Sequence, residues 1–409
     1  RFGSLANELV DQAADISSDV RRKIISLIEQ ITILAARLAQ KGVEIFDEIV
    51  RPRTDSEIEV MSLVGSSFKA ADQPSKADEV AFSMGTSNTV IVFGDRGLVL
   101  REPTIAIVRK SGGRRAPVAI GRAAAALIGR TPRELEVVRP VKDGVVVDTE
   151  VAAAIAKQLL AKVRRSGFLN PTILATVPCS AHSVERRAIH ECALSVGARK
   201  VFLIEKLAAA AIGAGLEIHK PGGFMVVHLG GGLVEAGVFA LDGIVFSRSV
   251  RAGGNHLNDA IAGMLRRELD FEVGWLTLER LKCELGQAPQ IRSSAKSLII
   301  RGSRSRVPAE VVITQEMVVR AISSNLSAVA EMLKQALEAI PAEIAGDIVD
   351  RGIVLTGGGA LLPGIDGFLS DETGLHCLVA EGAMNCVGLG LHTILSNLDQ
   401  KRHLLAAKP

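Results

Sequence analysis

Val226-Val227-His228-Leu229-Gly230-Gly231-Gly232 is an apolar run that ends in three consecutive glycines. It reads as a buried strand delivered into a turn whose backbone can approach a ligand closely. Working outward, Ser83-Met84-Gly85-Thr86-Ser87-Asn88-Thr89 has the same character toward the N-terminus. Leu355-Thr356-Gly357-Gly358-Gly359-Ala360 has it toward the C-terminus. Three such turns, each after an apolar run, suit backbone amides that wrap phosphates and a nucleoside. A working magnesium–ATP site also needs carboxylates to hold the metal and orient water. At the strand ends where those carboxylates belong, this chain has none.

The 409 residues exceed one ordinary core, so two or more domains are expected. An apolar content of 48% with 23% charged residues excludes a disordered chain. With no Tyr, one Trp and 12 Phe, the core must be built from Ala, Val, Ile and Leu. The same scarcity removes the stacking platforms of a single-strand nucleic-acid binder, and a net charge of +3 gives no steer toward nucleic acid. Residues 1–79 carry 10 Lys+Arg against 14 Asp+Glu, and the rest of the chain 38 against 31. Five cysteines without CxxC spacing suggest a reducing compartment and buried thiols. The opening residues lack the succession of a secretory leader, so a cytoplasmic protein is expected.

Residues 1–50 read as an amphipathic helical extension. Leu5, Leu9, Ala13, Ile16, Val20, Ile24, Leu27, Ile31, Leu34 and Leu38 recur at steps of three and four. Two readings stay open: a coiled-coil or bundle helix that docks on itself or on a protein partner, and an amphipathic helix lying on a membrane. The acidic balance counts against the second. Residues 51–79, with Pro52 and Pro74 and little periodicity, read as a linker. From Val80 onward strands alternate with helices, including helical patterns over Thr149–Ser166 and Gln315–Ala339, which indicates an α/β class.

The residues around the glycine turns resemble a known family. Gly97-Leu98-Val99-Leu100-Arg101-Glu102-Pro103, Arg139-Pro140-Val141-Lys142-Asp143-Gly144-Val145, Val177-Pro178-Cys179 with Val184-Glu185-Arg186-Arg187-Ala188-Ile189, Gly197-Ala198-Arg199-Lys200-Val201-Phe202-Leu203-Ile204-Glu205, Ser249-Val250-Arg251-Ala252-Gly253-Gly254 and Asp350-Arg351-Gly352-Ile353-Val354-Leu355 follow in the order of the MreB-type bacterial actins, over roughly residues 80–398. The resemblance implies the actin-like fold: two large domains around a central cleft, each with a smaller subdomain. On that basis domain I is expected over 80–217 (small subdomain about 111–147) and domain II over 218–384 (small subdomain about 261–309). A return segment over 385–398 and a tail over 399–409 complete the chain.

The resemblance also implies the site. Gly85, Thr86, Ser87 and Asn88 match the first phosphate loop, Gly230, Gly231 and Gly232 the second. Glu279 and Lys282 match positions that contact ribose and base, and Gly357, Gly358 and Gly359 the turn beside adenosine. Three departures concern catalysis. The family's Asp before each phosphate loop is Ser83 and His228 here, and the Glu that positions the attacking water is Lys206. An ammonium has no lone pair to accept a water proton. Glu205 is adjacent, but neighbouring helix residues point about 100° apart. The expectation is a pseudo-ATPase with no catalytic residues and no metal site. Its glycine turns fit either metal-independent binding of ATP or ADP or a structural remnant, and magnesium is not expected.

Phe168 and Leu169, flanked by Arg164 and Arg165, match the family's membrane-touching loop; shallow insertion at the inner membrane surface and burial in the core are both open. Arg292, Lys296, Arg301, Arg304 and Arg306 form a basic cluster, either a solvated loop or a subunit contact. The reading is a cytoskeletal or scaffolding protein that forms filaments by self-association or with another actin homologue. An active, slow ATPase and a non-polymerising adaptor that recruits a partner through residues 1–50 are the alternatives.

Overall fold

The computed structural model describes residues 79–111, 114–163, 171–291 and 295–406. The expected helix over 1–50, the linker up to residue 78, the Phe168–Leu169 loop and Arg292 lie outside these residues.

The first half opens with a meander of β1 (Glu79–Met84), β2 (Asn88–Phe93) and β3 (Gly97–Pro103). A small three-stranded sheet follows, from β4 (Ala106–Ser111), β5 (Arg114–Ile120) and β6 (Leu135–Val138), with α1 (Gly121–Ala125) packed beside it. The short pair β7 (Val141–Lys142) and β8 (Val145–Val146) leads to α2 (Thr149–Val163). Then come β9 (Thr172–Val177), α3 (Ser183–Ser195), β10 (Lys200–Glu205) and α4 (Lys206–Gly213).

The second half repeats the plan. A meander of β11 (Phe224–Leu229), β12 (Val234–Ala240) and β13 (Gly243–Val250) precedes α5 (Gly254–Leu269), β14 (Phe271–Glu272) and α6 (Trp275–Leu285). The hairpin β15 (Ser297–Arg304) and β16 (Val307–Thr314) leads into α7 (Gln315–Glu338) and α8 (Ala342–Arg351). The half closes with β17 (Ile353–Thr356), α9 (Ile365–Thr373) and β18 (Cys377–Val379), and α10 (Cys386–Ser396) returns to the first half.

The two five-stranded sheets run β10-β9-β1-β2-β3 and β18-β17-β11-β12-β13, with the same logic in each. An antiparallel meander continues through its first strand into two parallel strands. β1, β9 and β11 are buried along most of their length, as their apolar runs predict. The duplication puts the β1–β2 turn and the β11–β12 turn at equivalent sheet positions.

Between the sheets, α4 and α10 pack backbone to backbone. A Cβ on Gly390 would stand 1.8 Å from the Ala209 carbonyl oxygen, and one on Gly213 1.7 Å from that of Cys386. Only glycine permits this approach. Around it Ala81, Val92, Leu174 and Ile204 of the first sheet share one apolar cluster with Phe224, Val226 and Phe239 of the second. α7 shows what its sequence requires: the Thr314 hydroxyl caps it by accepting from the Met317 N–H at 3.4 Å, and Val318, Ile322, Leu326, Val329 and Leu333 line its buried face.

One composition-based expectation fails. Cys192, Cys377 and Cys386 are buried and Cys179 is half-buried, but Cys283 is exposed on α6, where its turn faces outward. No described helix is long and apolar enough to cross a membrane.

Candidate functional site

The β1–β2 turn is tight: the Gly85 N–H donates to the Asn88 carbonyl at 2.9 Å. Just before it, Ser83 is 5% exposed, and its Oγ accepts from the Thr176 hydroxyl of β9 at 2.7 Å. The Thr86 hydroxyl accepts from the Gly144 N–H at 3.0 Å, which ties the β7–β8 segment to the turn.

The β11–β12 turn closes the same way, with the Gly230 N–H donating to Leu233 at 3.0 Å. Its carbonyls are taken by the start of α5: Gly254 donates to Gly230 at 3.0 Å and Asn255 to Gly231 at 2.7 Å. The two turns touch. A Cβ on Gly231 would lie 2.0 Å from Ser87 Oγ, and one on Gly232 2.7 Å from Thr86 Oγ1. Among the described residues, the N–H groups of Thr86, Ser87, Gly231 and Gly232 donate to nothing. Four unspent donors on two facing turns fit an anionic ligand.

Below the turns sits a polar cluster built from both halves. Lys206, at the start of α4, is 8% exposed, and its Nζ lies 3.8 Å from Glu235 Oε2 on β12. Glu235 is 1% exposed, and its Oε1 accepts from the Cys179 N–H at 2.9 Å. His228 stands directly opposite Glu235 in the β11–β12 ladder. The Thr356 hydroxyl spends its one hydrogen on the Val227 carbonyl at 3.1 Å. It can therefore only accept from His228 Nδ1, 3.2 Å away, so Nδ1 carries the proton of the neutral ring. Burial, with the Lys206 charge adding to it, pulls the His228 pKa down to about 3.

Sequence reasoning missed two carboxylates here. Glu235 is the first. Asp143, whose Oδ1 lies 3.5 Å from His256 Nε2 of α5, is the second. Strict antiparallel pairing across the glycine turn was the available signal for Glu235, because it sets residue 228 opposite residue 235. Glu205, the substitute considered for catalysis, pairs with Arg186 of α3 at 3.0 Å.

On the other wall, Glu279 and Lys282 of α6 bond to each other at 2.7 Å. Glu279 also accepts from Asn258 Nδ2 at 2.7 Å, and Lys282 donates to the Gly254 carbonyl at 3.1 Å. Gly357 takes φ +86° at the end of β17, where a Cβ would lie 2.5 Å from the Leu229 carbonyl oxygen and 3.1 Å from His228 Cε1. The third glycine turn therefore packs on the base of the second. In the expected basic cluster Arg301 is paired with Glu310 at 2.7 Å, and Arg304 lies over Phe271 at 6.0 Å.

Magnesium demands a near-octahedral oxygen shell. The strand ends offer two hydroxyls already hydrogen-bonded, a neutral imidazole and one carboxylate, and Asp143, between β7 and β8, faces His256. The Glu235 Oε2 oxygen, which makes no hydrogen bond, faces a fixed ammonium. These residues do not fit the metal, and among the described residues no group of three or more His, Cys, Asp or Glu could hold one.

A family model described as MreB/Mbl protein matches residues 77–403. The cell shape-determining protein MreB of Escherichia coli (strain K12) is 38% identical over 329 residues, covering 79% of this chain and 94% of its own. Mbl of Bacillus subtilis (strain 168), also described as cell shape-determining, is 36% identical over 326 residues, covering 79% and 97%. The crystal structure of Spiroplasma citri MreB5 bound to AMPPNP superposes with a TM-score of 0.74 at 29% identity, covering 80% of this chain and 98% of that one. A MamK double helical filament, at 15% identity and TM-score 0.63, shares the fold.

Proposed function

The chain belongs to the MreB/Mbl family, bacterial actin homologues of the cell-shape cytoskeleton, and we propose that it is a filament-forming member whose cleft has lost magnesium-dependent ATP hydrolysis. The observation that carries this reading is the Lys206–Glu235 ion pair. It puts a cation where the resemblance implies the water-orienting carboxylate, and it occupies a nearby carboxylate that could have substituted. Glu205 is held by Arg186, Glu235 by Lys206 and the Cys179 N–H. Each of these carboxylates already faces a cation.

Spiroplasma citri MreB5 has been crystallised with both AMPPNP and ADP. Four unspent backbone donors on the touching turns support nucleotide binding here as well. Nucleotide then serves as a structural ligand between the halves. Self-association supplies the filament, and residues 1–50 recruit a protein partner.

Electron microscopy of the purified chain tests the assembly half of the reading. Filaments with ADP, and with AMPPNP in place of ATP, are expected. A protein that stays monomeric under every nucleotide condition would point to the adaptor alternative.

A further inference from the structure

We propose that the cleft binds nucleotide as the metal-free polyanion, with the Lys206 ammonium standing in for magnesium. This rests on the reading of the cleft as a nucleotide site. It departs from the metal-dependent chemistry that the family resemblance implies.

Charge is the first ground. Where the resemblance implies Asp, Asp and Glu, this chain has Ser83, His228 and Lys206. His228 is neutral, and the positive charge of Lys206 is matched by Glu235 alone. The cluster is therefore close to electrically neutral, whereas the implied arrangement is strongly negative and needs a dication before phosphates can approach. Here the ammonium of Lys206 opposes the dication.

The second ground is the unfinished state of the pair. At 3.8 Å the Lys206–Glu235 contact is longer than the 2.7–2.9 Å of a charge-assisted hydrogen bond. Glu235 Oε2 has no hydrogen-bond partner, although Glu235 is 1% exposed. Among the described residues Lys206 Nζ donates no hydrogen bond, so its three N–H groups are unspent. An ammonium held close to, but not saturated by, its carboxylate can turn its donors toward a phosphate oxygen. It keeps the coulombic attraction of Glu235 while doing so. Together with the amides of Thr86, Ser87, Gly231 and Gly232 it offers an anion a set of convergent donors, while the nearby Asp143 carboxylate faces His256.

The experiment is a titration of the full chain with fluorescent mant-ATP and mant-ADP, in excess magnesium and in excess EDTA. Binding in EDTA is expected to be at least as tight as in magnesium, because complexation hides the phosphate oxygens that Lys206 reads. The Lys206→Met/Glu235→Gln double variant removes the ammonium without stranding a buried carboxylate, and should weaken binding by about tenfold. Lys206→Arg keeps the charge and should retain most of the affinity. The proposal is overturned by binding that requires magnesium, by no binding in either buffer, or by a double variant that binds as well as the unmodified chain. Phosphate release is read separately. Metal-dependent binding without release sinks this proposal and leaves the pseudo-ATPase reading standing, whereas magnesium-stimulated release sinks that reading.

Discussion

His228 stands directly opposite Glu235 in the β11–β12 ladder, so an imidazole and a carboxylate leave the base of the second glycine turn on one face. Lys206 reaches this face from the start of α4 in the first half. It lies 3.8 Å from the carboxylate, and its charge helps to keep the imidazole unprotonated. One lysine thereby joins the halves of the molecule and sets the charge of the cleft.

Breaking that pair from one side should be costly. Lys206→Met leaves Glu235 buried without its countercharge, and about 3–5 kcal/mol of stability should be lost. Lys206→Met/Glu235→Gln should recover most of the loss, since the amide can still accept from Cys179. Urea unfolding of both variants checks this. Equal midpoints for the single and double variants would show that the ion pair is unimportant.

The His228 pKa makes stability depend on pH. In the native state the ring titrates at about 3, below the ordinary 6.5. The unfolded chain therefore takes up the proton first as pH falls. The contribution is whole above pH 6.5 and declines between 6.5 and about 3, by at most about 1.4 kcal/mol per pH unit. His228→Asn should flatten this decline and retain an N–H for Thr356. Thermal melts at neutral and mildly acidic pH, compared between the two proteins, measure the difference. Parallel acid losses would assign the effect to other groups.

Contact between the phosphate turns should tolerate no added atom. Gly231→Ala sets a methyl 2.0 Å from Ser87 Oγ and 2.8 Å from its Cβ. The turns must separate, at about 1–3 kcal/mol. Ser87→Gly should rescue the variant by removing both atoms. Unchanged melting of Gly231→Ala would mean that the turns lie farther apart.

The α4–α10 packing separates two glycines of one helix. Gly390→Ala drives a Cβ to within 1.8 Å of the Ala209 carbonyl and should prevent folding of the body. Gly388→Ala meets only Leu98 and Val90 side chains at 3.2–3.6 Å and should fold. Soluble yield and circular dichroism of the pair read this out.

Much of this molecule was legible in its residues, because the decisive signals are local. Apolar runs ending in glycine marked β1, β11 and β17. The three-and-four spacing after Thr314 marked α7 to within one residue of its observed end. Ser83, His228 and Lys206 stand in the sequence where the resemblance implies acidic residues. What escaped is the partnership of Lys206 on α4 with Glu235 on β12, which belong to different halves of the fold. Composition also misled for Cys283, since a cysteine on the outward turn of α6 has the same sequence signature as a buried one.

The central claim, that this cleft no longer hydrolyses ATP, is tested most directly by phosphate release from the full chain with magnesium-ATP. The unmodified protein should release none above background. The triple variant Ser83→Asp, His228→Asp and Lys206→Glu, which restores every acidic position the resemblance implies, should be required for any metal-dependent turnover. Robust magnesium-stimulated release from the unmodified protein, abolished by Glu205→Ala or Glu235→Ala, would contradict the account.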